Sequence, residues 1–111
     1  MQDIRRLQQG DPVKLVSAKA WGAKRGAVVM VRAGVVTKVS KAGYASIDIR
    51  PGDRFAPVEN SPIYREWTPK AAGILRDSHV HIEPISAEEA QRLPKTLTEG
   101  REYARRLPQE T

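Results

Sequence analysis

The chain has no cysteine among its 111 residues, which excludes disulfides, thiolate metal sites and thiol nucleophiles. It has no run approaching the roughly 18 apolar residues that a spanning helix needs, and Met1-Gln2-Asp3-Ile4-Arg5-Arg6-Leu7 lacks the apolar centre of a secretory leader. A soluble, cytoplasmic protein without membrane association is therefore expected. Aromatic residues make up 5% of the chain, so six rings (Trp21, Tyr44, Phe55, Tyr64, Trp67 and Tyr103) must serve both the core and any interface.

Motifs for catalysis are missing too. Gly22-Ala23-Lys24-Arg25-Gly26 lacks the Lys-Ser/Thr pair that closes a phosphate-cradling loop, and neither H-E-x-x-H nor G-x-S-x-G occurs. Asp48 and Asp53 flank the Pro51-Gly52 turn and could approach each other across it, but turn aspartates usually hold backbone amides. The expectation is a non-enzymatic protein with no cofactor. His79 and His81 would project from one face of a strand, as metal ligands can, yet a site needs a further donor such as Asp77 or Glu83. Solvent-facing histidines account for that spacing without an ion, so no metal is expected.

One further absence is local. Residues 12–47 contain no Asp or Glu, but seven cations: Lys14, Lys19, Lys24, Arg25, Arg32, Lys38 and Lys41. The whole chain carries a net charge of +6, with eleven Lys/Arg against four acids in residues 1–57 and eight against nine in residues 58–111. A cationic surplus of this kind raises the local concentration of a polyanion, whether nucleic acid or an acidic protein. It also serves simply as a solvated, solubilising face.

The length fits one domain, large enough to close a core without staples. Asp3 caps a short helix through Ile4 and Leu7 with Gly10 as terminator, or residues 1–11 form an arm. Alternation then predicts a half-buried strand over residues 12–18, a loop around Trp21 with Gly22 and Gly26 able to take positive φ, and a β-branched strand over 27–31, covered on both sides or curling into a barrel wall. Gly34 is expected to turn the chain into a third strand, 35–41, and Ala42-Gly43 to make a hairpin into a fourth, 44–49. After Pro51-Gly52-Asp53, prolines 57, 62 and 69 punctuate a long loop, 56–73, whose one strand-like fragment is 63–67. Alternation resumes at Ile74-Leu75 and over 79–83. Five or six short strands with turn residues between them imply a mainly β fold, a small SH3-like barrel over residues 12–85.

Residues 86–111 read as a helical appendage. Ser86 with Glu89 and Thr96 with Glu99 are capping boxes, and Pro94 and Pro108 are stops. Ala90-Gln91-Arg92-Leu93-Pro94 and Ala104-Arg105-Arg106-Leu107-Pro108 share the pattern A-x-R-L-P, which marks either two equivalent docking segments or coincidence. Residues 109–111 are expected to fray.

Gly10-Asp11-Pro12-Val13-Lys14-Leu15-Val16 followed by Gly22-Ala23-Lys24-Arg25-Gly26-Ala27-Val28 resembles the KOW motif of ribosomal and transcription-elongation proteins, G-D-x-V-x-V, a basic loop and G-K-x-G-x-V. The loop here is one residue longer, and Ala23 stands where lysine is common. The resemblance implies an SH3-like barrel. Thr37-Lys38-Val39-Ser40-Lys41 with Arg54-Phe55 is also similar to small basic proteins of actinobacterial phages, which have no established activity to carry over.

The leading functional expectation is nucleic-acid binding, to DNA or RNA, through Lys14, Lys19, Trp21, Lys24, Arg25 and Arg32. Cations meet phosphates, and an aromatic plane gives a base something to stack on. Trp21 either offers that plane or folds back to plug the barrel. Lys38 and Lys41 are expected on opposite faces of one strand, where a lone edge lysine also blocks aggregation. The alternative is a protein-interaction or assembly module, in which Tyr64, Trp67 and Tyr103 anchor an acidic protein partner or a second copy of the chain.

Overall fold

The computed structural model describes residues 6–19, 22–67 and 78–108. Expectations placed on Asp3 and Ile4, Trp21, Ile74 and Leu75, Asp77 and residues 109–111 lie outside them. Six antiparallel strands, β1 (Pro12–Lys19), β2 (Val28–Val39), β3 (Ala45–Ile47), β4 (Arg54–Pro57), β5 (Tyr64–Trp67) and β6 (Ser78–Pro84), follow in chain order round a closed barrel. β1 closes it, pairing with β2 on one side and with β6 on the other, where Val13 lies opposite Pro84 and Lys19 opposite Ser78. Two helices follow, α1 (Ala87–Arg92) and α2 (Leu97–Arg106). The barrel fits the SH3-like expectation, and both capping boxes form: Ser86 Oγ and Thr96 Oγ1 accept from the amides of Glu89 (3.1 Å) and Glu99 (3.2 Å).

Alternation along the strands decides the interior. Val13, Leu15, Met30, Val36, Ala45, Ile47, Phe55, Tyr64, Val80 and Ile82 pack inside, with Leu7 joining them from the preceding arm. Burying each of the larger side chains contributes about 1.5–3 kcal/mol. No helix forms at residues 6–10; Leu7 is held by its amide, which donates to the Tyr64 hydroxyl at 3.0 Å.

A second cluster lies outside the barrel. Val31 and Ala33 of β2 meet Leu93, with Val28, Ile85, Ala90, Tyr103 and Leu107 around them. Met30 and Val31, on opposite faces of β2, are thus both buried, one in the barrel and one under the helical segment, while Val29 stays exposed, so the run is barrel wall that is covered outside only in part. The two A-x-R-L-P segments end their helices alike, Leu93 and Leu107 each forming an extended C-cap, but Leu93 is buried in this cluster and Leu107 only half-buried against it.

Four local expectations are corrected. Gly34 does not turn the chain; β2 runs through it, because Asp48 and Ile49 approach so closely that a Cβ would stand 3.0 Å from Asp48 Oδ1 and from Ile49 Cγ1. Lys41 consequently falls in the β2–β3 turn rather than on a strand, and the strand expected over 44–49 shrinks to three residues. Residues 54–57, partly assigned to the long loop, form β4, which pairs with β5 from Pro57 opposite Tyr64 to Arg54 opposite Trp67. A proline at the end of a strand costs no interior ladder bond.

β3 pairs with only the last part of β2, so the first part has one edge without a strand neighbour. The chain between the helices covers it. Ala33 N donates to Pro94 O at 2.8 Å, and the Arg32 guanidinium donates to Lys95 O from Nε (3.2 Å) and Nη2 (2.8 Å). Gly100 of α2 lies so near the Val31 carbonyl that a Cβ would stand 2.7 Å from that oxygen. An unpaired strand edge is a template for aggregation, and this one is sealed within the chain.

Candidate nucleic-acid interface

The acid-free stretch does not form one surface. Lys14 sits opposite Glu83 across the β1–β6 ladder and reaches Glu89 Oε2 at 3.8 Å. A part-exposed pair contributes little stability, but it cancels local field. Arg32 is the clamp on Lys95 described above. These two predicted contacts are therefore occupied by the helical segment, and only Lys19, Lys24 and Arg25 of the described set stand at the β1–β2 hairpin. Trp21, expected beside them, lies outside the described residues.

Backbone hydrogen bonds join the described parts of the hairpin. Lys19 N donates to Ala27 O (2.9 Å), Gly26 N to Lys19 O (2.8 Å) and Ala27 N to Lys24 O (3.0 Å). Gly22 and Gly26 take φ of 81° and 90°, the left-handed region expected of them. That geometry leaves Lys19, Lys24 and Arg25 exposed.

Two cations that sequence reasoning missed face the hairpin from α2. Arg101 and Arg105, one helical turn apart, rim an open groove of about 400 Å³ together with Lys24; Ala27, Val28, Val29 and Ala104 line the rest. Ala104 is 1% exposed and roots this face of the helix, whereas Val29 stays 37% exposed on the groove wall. Among the described residues no carboxylate lies within ion-pair distance of Lys19, Lys24, Arg25 or Arg101, while Arg105 and Arg106 share Glu102 at 3.4 and 3.8 Å. The lining holds no carboxylate, histidine or hydroxyl, so its chemistry is that of fixed positive charge beside a small apolar wall. The i, i+4 spacing of Arg101 and Arg105 was the available signal.

The residues expected at a protein interface separate. Tyr64 is 1% exposed in the core, because alternation along β5 turns Tyr64 inward and Trp67 outward. Tyr103 is half-buried and fastens α2 to β2. Trp67 alone is exposed, and it has company: the Arg54 guanidinium lies 4.7 Å from its ring centroid and 5.9 Å from that of Tyr44, and the two rings are 5.7 Å apart at 46°.

The other candidates have structural partners. Asp48 Oδ1 accepts from Val35 N at 2.8 Å; Asp53 Oδ2 accepts from Arg50 Nε at 2.8 Å, and Arg50 also pairs with Glu66. His81 Nε2 lies 3.0 Å from Glu83 Oε2. No cluster of three metal-ligating side chains occurs among the described residues, and none of the helices there is long and apolar enough to cross a membrane. Comparison with known proteins finds no matching family model, curated protein or solved structure.

Proposed function

We propose that the chain binds nucleic acid, DNA or RNA, with little sequence preference, through the groove between the β1–β2 hairpin and α2. One observation carries the reading: Lys24, Arg101 and Arg105 converge on one open groove, with Lys19 and Arg25 on the adjoining hairpin. These cations meet phosphates, and counterion release supplies the affinity. No catalytic step, metal or cofactor enters the reading, and its setting is the cytoplasm.

Anisotropy titration against labelled duplexes of unrelated sequence tests it. Affinity should fall steeply with salt, and Lys24→Glu with Arg101→Glu should weaken every duplex alike. Lys14→Ala should leave binding nearly unchanged. Affinity indifferent to salt, or undiminished by the charge reversals, rejects the groove as the binding site.

A second reading, a protein-interaction or assembly module, is favoured by exposed apolar residues on the outer surface: Trp67, and Leu97 at 44% exposure on α2. An acidic protein or a second copy of the chain would be the partner. It requires a particle size by light scattering that rises with concentration and does not respond to salt.

A further inference from the structure

We infer that the outer face of β3, β4 and β5 is a stacking platform for unpaired bases, which makes single-stranded nucleic acid the preferred ligand. The inference rests on the nucleic-acid reading above but uses a different surface.

The strand register assembles the platform. Arg54 lies directly opposite Trp67 across β4–β5, and Ala56 opposite Arg65. On β3 the flanking Ala45 and Ile47 are buried and Ser46 turns outward, opposite Lys38 of β2. Tyr44, just before β3, brings its ring to Trp67, and the Arg54 guanidinium lies over both rings. Lys38, Lys41, Arg54 and Arg65 are all exposed. Glu66 is the one carboxylate on β3, β4 and β5; its side chain is 6% exposed and paired with Arg50. Arg54 and Arg65 on these strands, with Lys38 on β2 and Lys41 in the β2–β3 turn, therefore make the outward face cationic, and two aromatic rings and a guanidinium plane stand together at one end of it.

This combination fits one ligand chemistry. An aromatic ring or a guanidinium offers a flat face on which any base can stack, and the surrounding cations contact phosphates on either side. A base inside a duplex already stacks on its neighbours and cannot use such a plane. The platform therefore discriminates single strands from duplexes, whereas the groove at the hairpin responds to phosphate alone. An extended acidic peptide would satisfy the cations but leave the planes without a matching face.

Anisotropy of a labelled oligothymidylate, a duplex of the same length and heparin as competitor tests the assignment with the full chain. Tyr44→Ala with Trp67→Ala should weaken oligothymidylate binding by roughly ten-fold or more, while duplex and heparin affinities stay within about two-fold. Trp67→Phe, which keeps a ring and the fold, should restore most of the loss. In a Trp21→Phe background, where Trp67 is the remaining tryptophan, stacking should also quench the fluorescence as oligothymidylate binds, and the duplex should leave it unquenched. Equal losses on single strand and duplex, or no loss on the single strand, overturn the platform and leave the groove reading standing. Failure of the wild-type chain to bind any of the three polyanions overturns both. Variants that lose self-association and keep oligothymidylate affinity assign the patch to a second copy of the chain and overturn the platform as well.

Discussion

Tyr64 and Gly100 carry consequences out of proportion to their size. Tyr64→Phe keeps the ring in the core but removes the oxygen that accepts from the buried Leu7 amide. An orphaned buried donor costs about 1–3 kcal/mol, so urea unfolding should lose that much while the arm around Leu7 becomes protease-sensitive. Gly100→Ala sets two effects against each other. Alanine favours a helix over glycine by about 1 kcal/mol. Its Cβ, however, would stand 2.7 Å from the Val31 carbonyl oxygen and 2.8 Å from Arg32 Cγ; the first is backbone and cannot swing aside, and the second belongs to a side chain whose guanidinium is held by Lys95 O. Overpacking of this kind costs about 1–3 kcal/mol. A lower melting temperature, with faster hydrogen exchange at the Ala33 amide, is the expected result; a rise would mean that α2 is not seated as described. Tyr64 and Trp67 also mark a limit of reading sequence. A three-residue separation on a strand puts their rings on opposite faces, but which face is inward depends on the partners of β5, and nothing local encodes that.

At the scale of elements, what could be read was what is local. Capping boxes, the hairpin glycines and the alternation of β1 and β6 are short-range physics and appear as expected. β4 was obscured by the proline that ends it, and Gly34 gave a turn signal although its missing side chain serves a close approach by Asp48 and Ile49. The repeated A-x-R-L-P segments act as two latches of unequal strength. Leu93 is 6% exposed and Leu107 half-buried, so Leu93→Ala should cost about 2 kcal/mol, the low end for a core leucine, and Leu107→Ala distinctly less. Denaturant melts of the two variants decide this. Equal costs would show that the latches share the load. A chain ending at residue 92 should lose the cover on the β2 edge and self-associate in a concentration-dependent way, visible by light scattering.

For the molecule as a whole, charge counted by halves of the chain misleads. The second half is nearly balanced, yet it contributes Arg101 and Arg105 to the groove and Glu89 to the neutralisation of Lys14. Folding redistributes the cations into a groove at the hairpin and a separate face on β3–β5, and no count along the chain could separate them. The slope of log affinity against log salt should fall by about one for each phosphate-contacting cation removed from the groove, and stay unchanged on removal of Lys14. A slope that falls equally for any lysine would mean diffuse attraction with no defined site.

The cover on β2 also sets an order of events during synthesis. Arg32 is made 63 residues ahead of the Lys95 carbonyl that it will bind. At ribosomal speed that is a wait of roughly 3 to 13 s. Through that interval the nascent hairpin presents bare amides to whatever lies nearby, so the half-made chain is stickier than the finished one, and a ribosome stalled before residue 93 releases a product poised to pair with its neighbours.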